Sequence, residues 1–287
     1  MNNVQKVGDI SLKEFYTEFY KPGIPVVFKN ASKSWKARDL FTPAYFRENF
    51  GDRKTTVKGK EYTINEILKF IENSSAENPA PYPCKFDIPR QFPELLPLIK
   101  PMGMHYAIPN WFHRKAFPKS GMGNATELFF GGAGGKFPNV HLDFFHTNAW
   151  VTQLYGNKNF IVFPRGQDEL LYPDVNDPYI SRVNIFNPDY EKFPKYRQAT
   201  PIKVCVEQGE TIFVPWGIWH SAEPLSISIS VIFDQMNSDN YKGWKKDVWD
   251  DKMKREGKVK AVGYMSYALF IKAYCTLGDV FKVMKSD

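Results

Sequence analysis

An imidazole and a carboxylate, His141 and Asp143, stand two residues apart in the segment VHLDFF. The alternation of this segment predicts a β-strand. Residues i and i+2 of a strand point to the same face, so we expect the two side chains to project together. In that position they would offer a nitrogen and an oxygen to one divalent metal ion. On these two residues alone, a chance occurrence of the pattern stays an open alternative.

His220 is the candidate for a third ligand. It ends the segment GETIFVPWGIWH, in which a predicted strand is followed by a turn, and it lies in the same strand-rich region as His141. Two histidines and one carboxylate on one face of a metal ion leave the other coordination positions open. This ligand set is typical of non-haem Fe(II) oxygenases, which need open positions for a co-substrate and O₂.

Lys158 stands at the start of the apolar segment NFIVFP, which predicts a buried strand. A buried ammonium group is costly unless an acidic group pairs with it. A dicarboxylic co-substrate would be such a partner. The alternative, that Lys158 lies on a solvent-facing side or extends its amine outward to water, stays open.

Short strands would have to position these residues. We predict strands between residues 125 and 233 in the following segments: ATELFF, VHLDFF, TNAWVTQLY, KNFIVFP, IKVCVEQ, ETIFVP and SISISVIF. Many short strands at this spacing favour a sandwich or barrel of the jelly-roll kind. Helices are predicted before this region, at residues 9–20, 42–50 and 63–73, and after it from residue 237. The predicted fold class is therefore mostly β with flanking helices.

The composition limits the possible partners and cellular location less strictly than the motifs do. The chain has 287 residues, 43% of them hydrophobic, and a formal net charge of +7. This mild positive charge permits an acidic partner such as nucleic acid but does not require one. Three widely spaced cysteines favour neither a disulfide framework nor a zinc–thiolate site. The N-terminus has no apolar signal segment, and no apolar run reaches the length of about 18 residues that a membrane span needs. We therefore expect a reduced, cytoplasmic protein.

Several segments resemble, in order, the Jumonji-C family in its cupin-8 branch: HLD, TQLYGNKNFIVFP, NPDYEKFP, EQGETIFVPWGIWH and SISISVIF. The resemblance covers about residues 10 to 236. Within the family, the likeness is to the branch that hydroxylates asparagine in hypoxia-inducible factor and to the branch that hydroxylates wybutosine in tRNA. The resemblance implies a double-stranded β-helix, or cupin-like jelly roll, with N-terminal α/β elements and C-terminal helices. It also implies Fe(II) and 2-oxoglutarate as cofactors.

The resemblance implies roles for individual residues as well. Those at positions that match iron ligands are His141, Asp143 and His220, and those at or near positions that contact 2-oxoglutarate are Lys158, Tyr106, Asn148 and Ser230. Lys158 would pair with the distal carboxylate of the co-substrate. Two departures stand out. Pro138 stands where the resembled branch has a threonine whose hydroxyl binds the co-substrate, so this hydrogen bond is either missing or replaced by Asn139 or Thr152. About two extra residues follow Asp143, around His146.

The resulting functional prediction is a dioxygenase that hydroxylates a C–H bond, with a protein side chain as the expected substrate. The alternatives are a tRNA or small-molecule hydroxylase of the same family and a non-catalytic metal-binding cupin module. We expect a catalytic domain at residues 1–236, with its core at about 125–236, and a helical extension at 237–287. The apolar C-terminal helix would either close the barrel or form a homodimer interface.

Overall fold

A computed structural model describes residues 3–57, 59–100, 104–119, 121–137 and 139–283. Its strands are β1 (Gln5–Val7), β2 (Val26–Phe28), β3 (Lys54–Val57), β4 (Lys60–Thr63), β5 (Cys84–Asp87), β6 (Thr126–Gly131), β7 (Asn148–Tyr155), β8 (Lys158–Val162), β9 (Ile202–Val206), β10 (Thr211–Val214), β11 (His220–Pro224) and β12 (Ser228–Gln235). Its α-helices are α1 (Leu12–Phe15), α2 (Ala37–Leu40), α3 (Pro43–Phe50), α4 (Ile64–Glu72), α5 (Ile88–Gln91), α6 (Tyr241–Glu256) and α7 (Lys258–Val283). A π-helical turn, Tyr16–Tyr20, continues α1.

Two sheets form the barrel. The larger has the strand order β1-β2-β10-β7-β12-β6-β5, and the smaller has the order β11-β8-β9. Apolar side chains from both sheets form one core between them, with Val151 and Ile212 from the larger sheet and Phe160 and Val206 from the smaller. The prediction of a cupin-like jelly roll with flanking helices is confirmed.

The N-terminal helices cover the outer face of the larger sheet. Phe15 of α1 and Phe46 of α3 are buried in one apolar cluster with Trp150 of β7. The helix starts follow from local chemistry, as the sequence predicts. The Thr63 hydroxyl accepts a hydrogen bond from the Glu66 amide while the Glu66 carboxylate accepts one from the Thr63 amide, which forms a capping box for α4.

The C-terminal helices pack against the segment that precedes β6. Trp111, Trp244 and Ile271 are buried together in this contact. Asp279 of α7 accepts a hydrogen bond from the Trp111 indole (2.7 Å) and forms an ion pair with Arg114. The outer side of α7 exposes apolar residues, namely Val262, Leu269, Phe270, Leu277 and Val280. The homodimer interface expected on this helix stays a prediction. Among the described residues, none of the helices is both long and apolar enough to cross a membrane.

The predicted strand at VHLDFF is wrong in detail. His141 makes only isolated bridges, to Ile180 and to His220, and Phe144–His146 form a 3-10 turn. The backbone amide of Leu142 donates to the carbonyl of Tyr179 (2.8 Å), which lies in a loop. The segment is thus held by long-range bonds on both sides, and a local pattern of alternating residues does not reveal such an arrangement.

Gly156 makes the turn between β7 and β8 possible. It has φ +68°, and a Cβ there would lie 1.9 Å from the carbonyl oxygen of Ile227.

We expect Gly156→Ala to lower the free energy of unfolding by about 3 kcal/mol or more, because the backbone of Ile227 would have to move. Gly166→Ala is the control. Gly166 also has a positive φ (+83°) but nothing lies within 4 Å of its Cβ position, so only the conformational cost of about 1 kcal/mol is expected. Chemical denaturation measures both, and equal losses would contradict the steric explanation.

Candidate metal centre

His141, Asp143 and His220 come together at one end of the barrel. Their ligand atoms all lie within 4.8 Å of one another. The two imidazole rings are 4.3 Å apart, and His220 Nε2 is 3.8 Å from Asp143 Oδ1. The backbones of His141 and His220 exchange two hydrogen bonds, of 3.0 and 2.9 Å. The start of β11 therefore fixes one histidine against the other.

Backbone carbonyls orient both rings. His220 Nδ1 lies 3.0 Å from the Ile218 carbonyl, and His141 Nδ1 lies 3.3 Å from the Asn139 carbonyl. With Nδ1–H donating to a carbonyl, Nε2 of each ring is left as the metal-binding atom. Burial, with a smaller contribution from His220, lowers the pKa of His141 well below its usual value, which keeps this ring in its neutral, ligating form. Burial raises the pKa of Asp143. Two imidazole nitrogens and one carboxylate oxygen fit a divalent ion such as Fe(II).

Lys158 lies inside the barrel, with 1% of its surface exposed. Its ammonium donates to the Ser230 hydroxyl and lies 5.5 Å from the centre of the Tyr82 ring. Among the described residues, no carboxylate pairs with it. Burial lowers its pKa to about 7. A buried amine that donates to a neutral hydroxyl, and to no carboxylate of the described residues, fits a site that receives an anionic ligand.

Lys158 and His220 share one interior face of the smaller sheet. Pro224 of β11 pairs with Lys158, and His220 at the start of the same strand pairs with Val162. Positions four residues apart on a strand point the same way. The ammonium and His220 are therefore at opposite ends of one stretch of the smaller sheet.

Tyr106 and Asn148 have hydrogen-bond partners of their own. The Tyr106 hydroxyl exchanges hydrogen bonds with the backbone of Ile10 and its ring stacks on Phe28, which belongs to the outer core cluster. Asn148 accepts from the Trp216 amide (3.0 Å) and donates to the Tyr20 hydroxyl. These contacts do not bring either side chain to Lys158, and their predicted co-substrate contacts remain predictions.

The departure at Pro138 falls outside the described residues. Of the two substitutes considered, Thr152 shares a hydrogen bond of 2.9 Å with Thr211. The Asn139 carbonyl orients His141, as described above. Ser228 lies two residues before Ser230 and accepts a hydrogen bond from the Gln153 side-chain amide (2.9 Å). The alternation SISIS places Ser228 on the same face as Ser230, but the sequence does not reveal its contact with Gln153.

A cavity of about 270 Å³ adjoins Asp143. Its lining residues include Leu142, Asp143, His146, Arg165, Tyr179 and Trp216. The rings of His146 and Trp216 are 5.0 Å apart, and the Arg165 guanidinium lies 4.6 Å from the centre of the Trp216 ring. The cavity therefore reaches the triad at Asp143.

The cupin-like domain family matches residues 12–239. The chain belongs to this family. It is the cupin-8 family of JmjC type, whose enzymes use Fe(II) and 2-oxoglutarate, and the described residues of this cupin-like protein include the corresponding His-Asp-His triad.

Three relatives show how far the similarity extends. The lysine-specific demethylase JMJ30 of Arabidopsis thaliana is 28% identical over 241 residues, which is 80% of this chain and 54% of the relative. The arginine-specific demethylase JMJ22 of the same plant is 25% identical over 246 residues, or 80% and 45%. Human HSPB1-associated protein 1 is 34% identical over 116 residues, or 38% and 23%.

The cupin-like protein spans about half the length of these two demethylases. The family predicted from the sequence is confirmed. The two hydroxylase branches to which the sequence was likened gain no support from these relatives.

Proposed function

We propose that this cupin-like protein is an Fe(II)- and 2-oxoglutarate-dependent oxygenase that hydroxylates a C–H bond on a protein side chain. The observation that carries the proposal is the placement of His141, Asp143 and His220 within 4.8 Å of one another, with the buried Lys158 at the other end of the interior face that holds His220. Each feature separately has a structural explanation, but the metal ligands and the buried amine together match what a dicarboxylic co-substrate needs.

The residues of the chain have distinct tasks in this reaction. The bound metal and co-substrate would supply the oxidation, in which C–H, O₂ and 2-oxoglutarate become C–OH, succinate and CO₂. His141, Asp143 and His220 hold the metal, and Lys158 with Ser230 binds the distal carboxylate. Apolar interior residues such as Val162 and Ile212 exclude water from the space between them.

A protein substrate is supported by the names of the relatives. Two of them are named as demethylases of lysine or arginine, and oxidative removal of an N-methyl group begins with hydroxylation of its C–H bond. On this ground we propose a peptide, rather than tRNA, in the cavity beside Asp143. The basic segment at residues 242–260 has eight basic and four acidic residues, and four of the basic residues form ion pairs, namely Lys246–Asp250, Lys252–Glu256, Arg255–Asp251 and Lys260–Glu256. Its remaining positive charge keeps tRNA as the alternative. The domain division at residue 236 and a cytoplasmic location remain predictions.

Succinate release tests the proposal. Purified protein with Fe(II), O₂ and 2-oxoglutarate is expected to form succinate, and more of it with peptides that carry lysine, methyl-lysine, arginine or asparagine. His141→Ala and a chelator-treated sample are the controls, and both are expected to lose the activity. Metal and 2-oxoglutarate binding without succinate formation on any peptide would favour the non-catalytic cupin module. Stimulation by tRNA alone would favour the RNA alternative.

A further inference from the structure

We propose that Asp247, on α6, is a positioning residue that holds the metal-binding segment 141–146 from both sides. The inference rests on the proposed function of the triad, because it concerns the alignment of Asp143. It extends the site beyond the barrel, to a helix that the sequence assigns to a separate C-terminal extension.

The first contact is with His146, three residues after Asp143. His146 Nδ1 lies 2.6 Å from Asp247 Oδ2, and Asp247 is buried. The Asn240 side chain, at the start of α6, donates to the His146 carbonyl (2.8 Å). Gly243 of α6 lies directly against the His146 ring, since a Cβ at this glycine would be 2.2 Å from His146 Cδ2. Both the ring and the backbone of His146 are thus held by one helix.

The second contact is with Tyr179. Its hydroxyl faces the Asp247 carboxylate, and burial together with this carboxylate raises the pKa of Tyr179. The Tyr179 carbonyl accepts from the amide of Leu142, between the two ligands His141 and Asp143. Lys254 of α6 also donates to the Asn176 carbonyl of the same loop (3.2 Å). A single carboxylate therefore reaches one side of the ligand segment through His146 and the other side through Tyr179.

The backbone of the segment needs such support. Phe145 and His146 are non-glycine residues in consecutive left-handed conformations, with φ 59° and 53°. Each costs on the order of 1 kcal/mol and persists only where neighbouring contacts hold it. The conformation turns the chain sharply after Asp143. Loss of the contacts with α6 would let these residues relax and move the carboxylate away from the two imidazoles.

Asp247→Ala tests the inference by metal binding rather than by activity. Mn(II) titration, followed by electron paramagnetic resonance of the free ion, reports on the triad in the absence of substrate. We expect the Mn(II) dissociation constant to rise about 10-fold to 100-fold, as for loss of other groups that orient metal ligands. Asp247→Asn keeps one acceptor oxygen and is expected to fall between the wild type and Asp247→Ala.

Asp251→Asn is the matched control for charge. Asp251 lies on the same helix, and its partners are Arg255 and Lys252 rather than the ligand segment. It is expected to leave Mn(II) affinity within about threefold of the wild type. Thermal unfolding of all variants without metal separates lost positioning from lost folding, because a purely structural role would lower the melting temperature without a specific loss of metal affinity.

A second pair of variants tests the same contact without touching a carboxylate. Gly243→Ala would push the His146 ring aside, whereas Gly263→Ala on α7 adds a methyl group where nothing lies within 4 Å. We expect weaker Mn(II) binding only in Gly243→Ala. Wild-type affinity in both Asp247→Ala and Gly243→Ala would overturn the inference. Failure of the wild-type protein to bind Mn(II) would instead overturn the proposed function.

Discussion

Replacement of Asp143 by alanine is expected to lower Mn(II) and Fe(II) affinity by more than about 100-fold and to abolish succinate formation. Asp143 supplies the carboxylate of the triad, and the two imidazole ligands would remain. Because burial raises the pKa of Asp143, the metal-free fold gains nothing from its charge. We therefore expect Asp143→Ala to unfold at or above the wild-type melting temperature when metal is absent.

The control for this variant is Asp168→Asn. Asp168 lines the same cavity and accepts a hydrogen bond from the Trp219 indole, but it is not one of the triad. It should keep metal affinity within about threefold of the wild type. Equal metal affinity in Asp143→Ala and wild type would remove Asp143 from the ligand set. A comparable loss in Asp168→Asn would show that the general charge of the cavity, rather than ligation, attracts the ion.

Lys158→Met should separate co-substrate binding from folding. The substitution removes the cation proposed to pair with the distal carboxylate of 2-oxoglutarate. We expect the dissociation constant of 2-oxoglutarate to rise about 100-fold or more, which corresponds to about 3 kcal/mol for a buried charge pair that loses one partner. Calorimetric titration in the presence of Mn(II) measures this constant. 2-Oxobutanoate, which lacks the distal carboxylate, is the control ligand and should bind equally well to both proteins.

The same variant should be more stable than the wild type in the absence of co-substrate. In the unfolded chain Lys158 has its ordinary pKa of 10.5, and in the folded protein burial lowers that pKa to about 7. The unfolded state therefore binds more protons between these values, so the free energy of unfolding of the wild type should rise as pH increases from about 7 to 10. At pH 7, burial of this amine lowers the free energy of unfolding of the wild type by on the order of 4 kcal/mol.

Lys158→Met has no buried amine and therefore lacks this pH-dependent loss of stability. The difference in stability between variant and wild type should therefore shrink as the pH rises, which denaturant titrations at pH 7, 8 and 9 can follow. A difference that does not depend on pH would mean that Lys158 is not a buried, proton-binding amine. Unchanged affinity for 2-oxoglutarate would remove Lys158 from the co-substrate site.

Local patterns account for most of the fold that could be predicted. The helix predicted at residues 63–73, the strand SISISVIF and the strand ahead of His220 are each determined by neighbouring residues, and all appear in the structure. The segment at His141 was predicted as a regular strand, because its alternation resembles one. Its actual conformation depends on backbone hydrogen bonds to Tyr179 and to His220, which lie far along the chain. A local pattern of residues does not predict such distant partners.

The same limit explains what was missed at the candidate site. Asp247 stands in a strongly charged segment, where a solvated helix face is the ordinary interpretation. Its burial depends on how α6 packs against His146 and the Tyr179 loop, which only the three-dimensional arrangement reveals. Tyr106 was placed by resemblance alone, and its hydroxyl is bound to the backbone of Ile10.

The strand order of the larger sheet also determines when, during translation, the metal centre can form. β2 lies between β1 and β10, so Val27 pairs with Ile212, and β7 pairs with β12. Pairing across such sequence separations delays folding until the later strands exist. A nascent chain that has emerged from the ribosome only as far as Asp143 carries two of the ligands but cannot assemble the centre. Iron can be loaded only after translation has passed His220, and under the inference drawn for Asp247 the tight site forms only once α6 has left the exit tunnel.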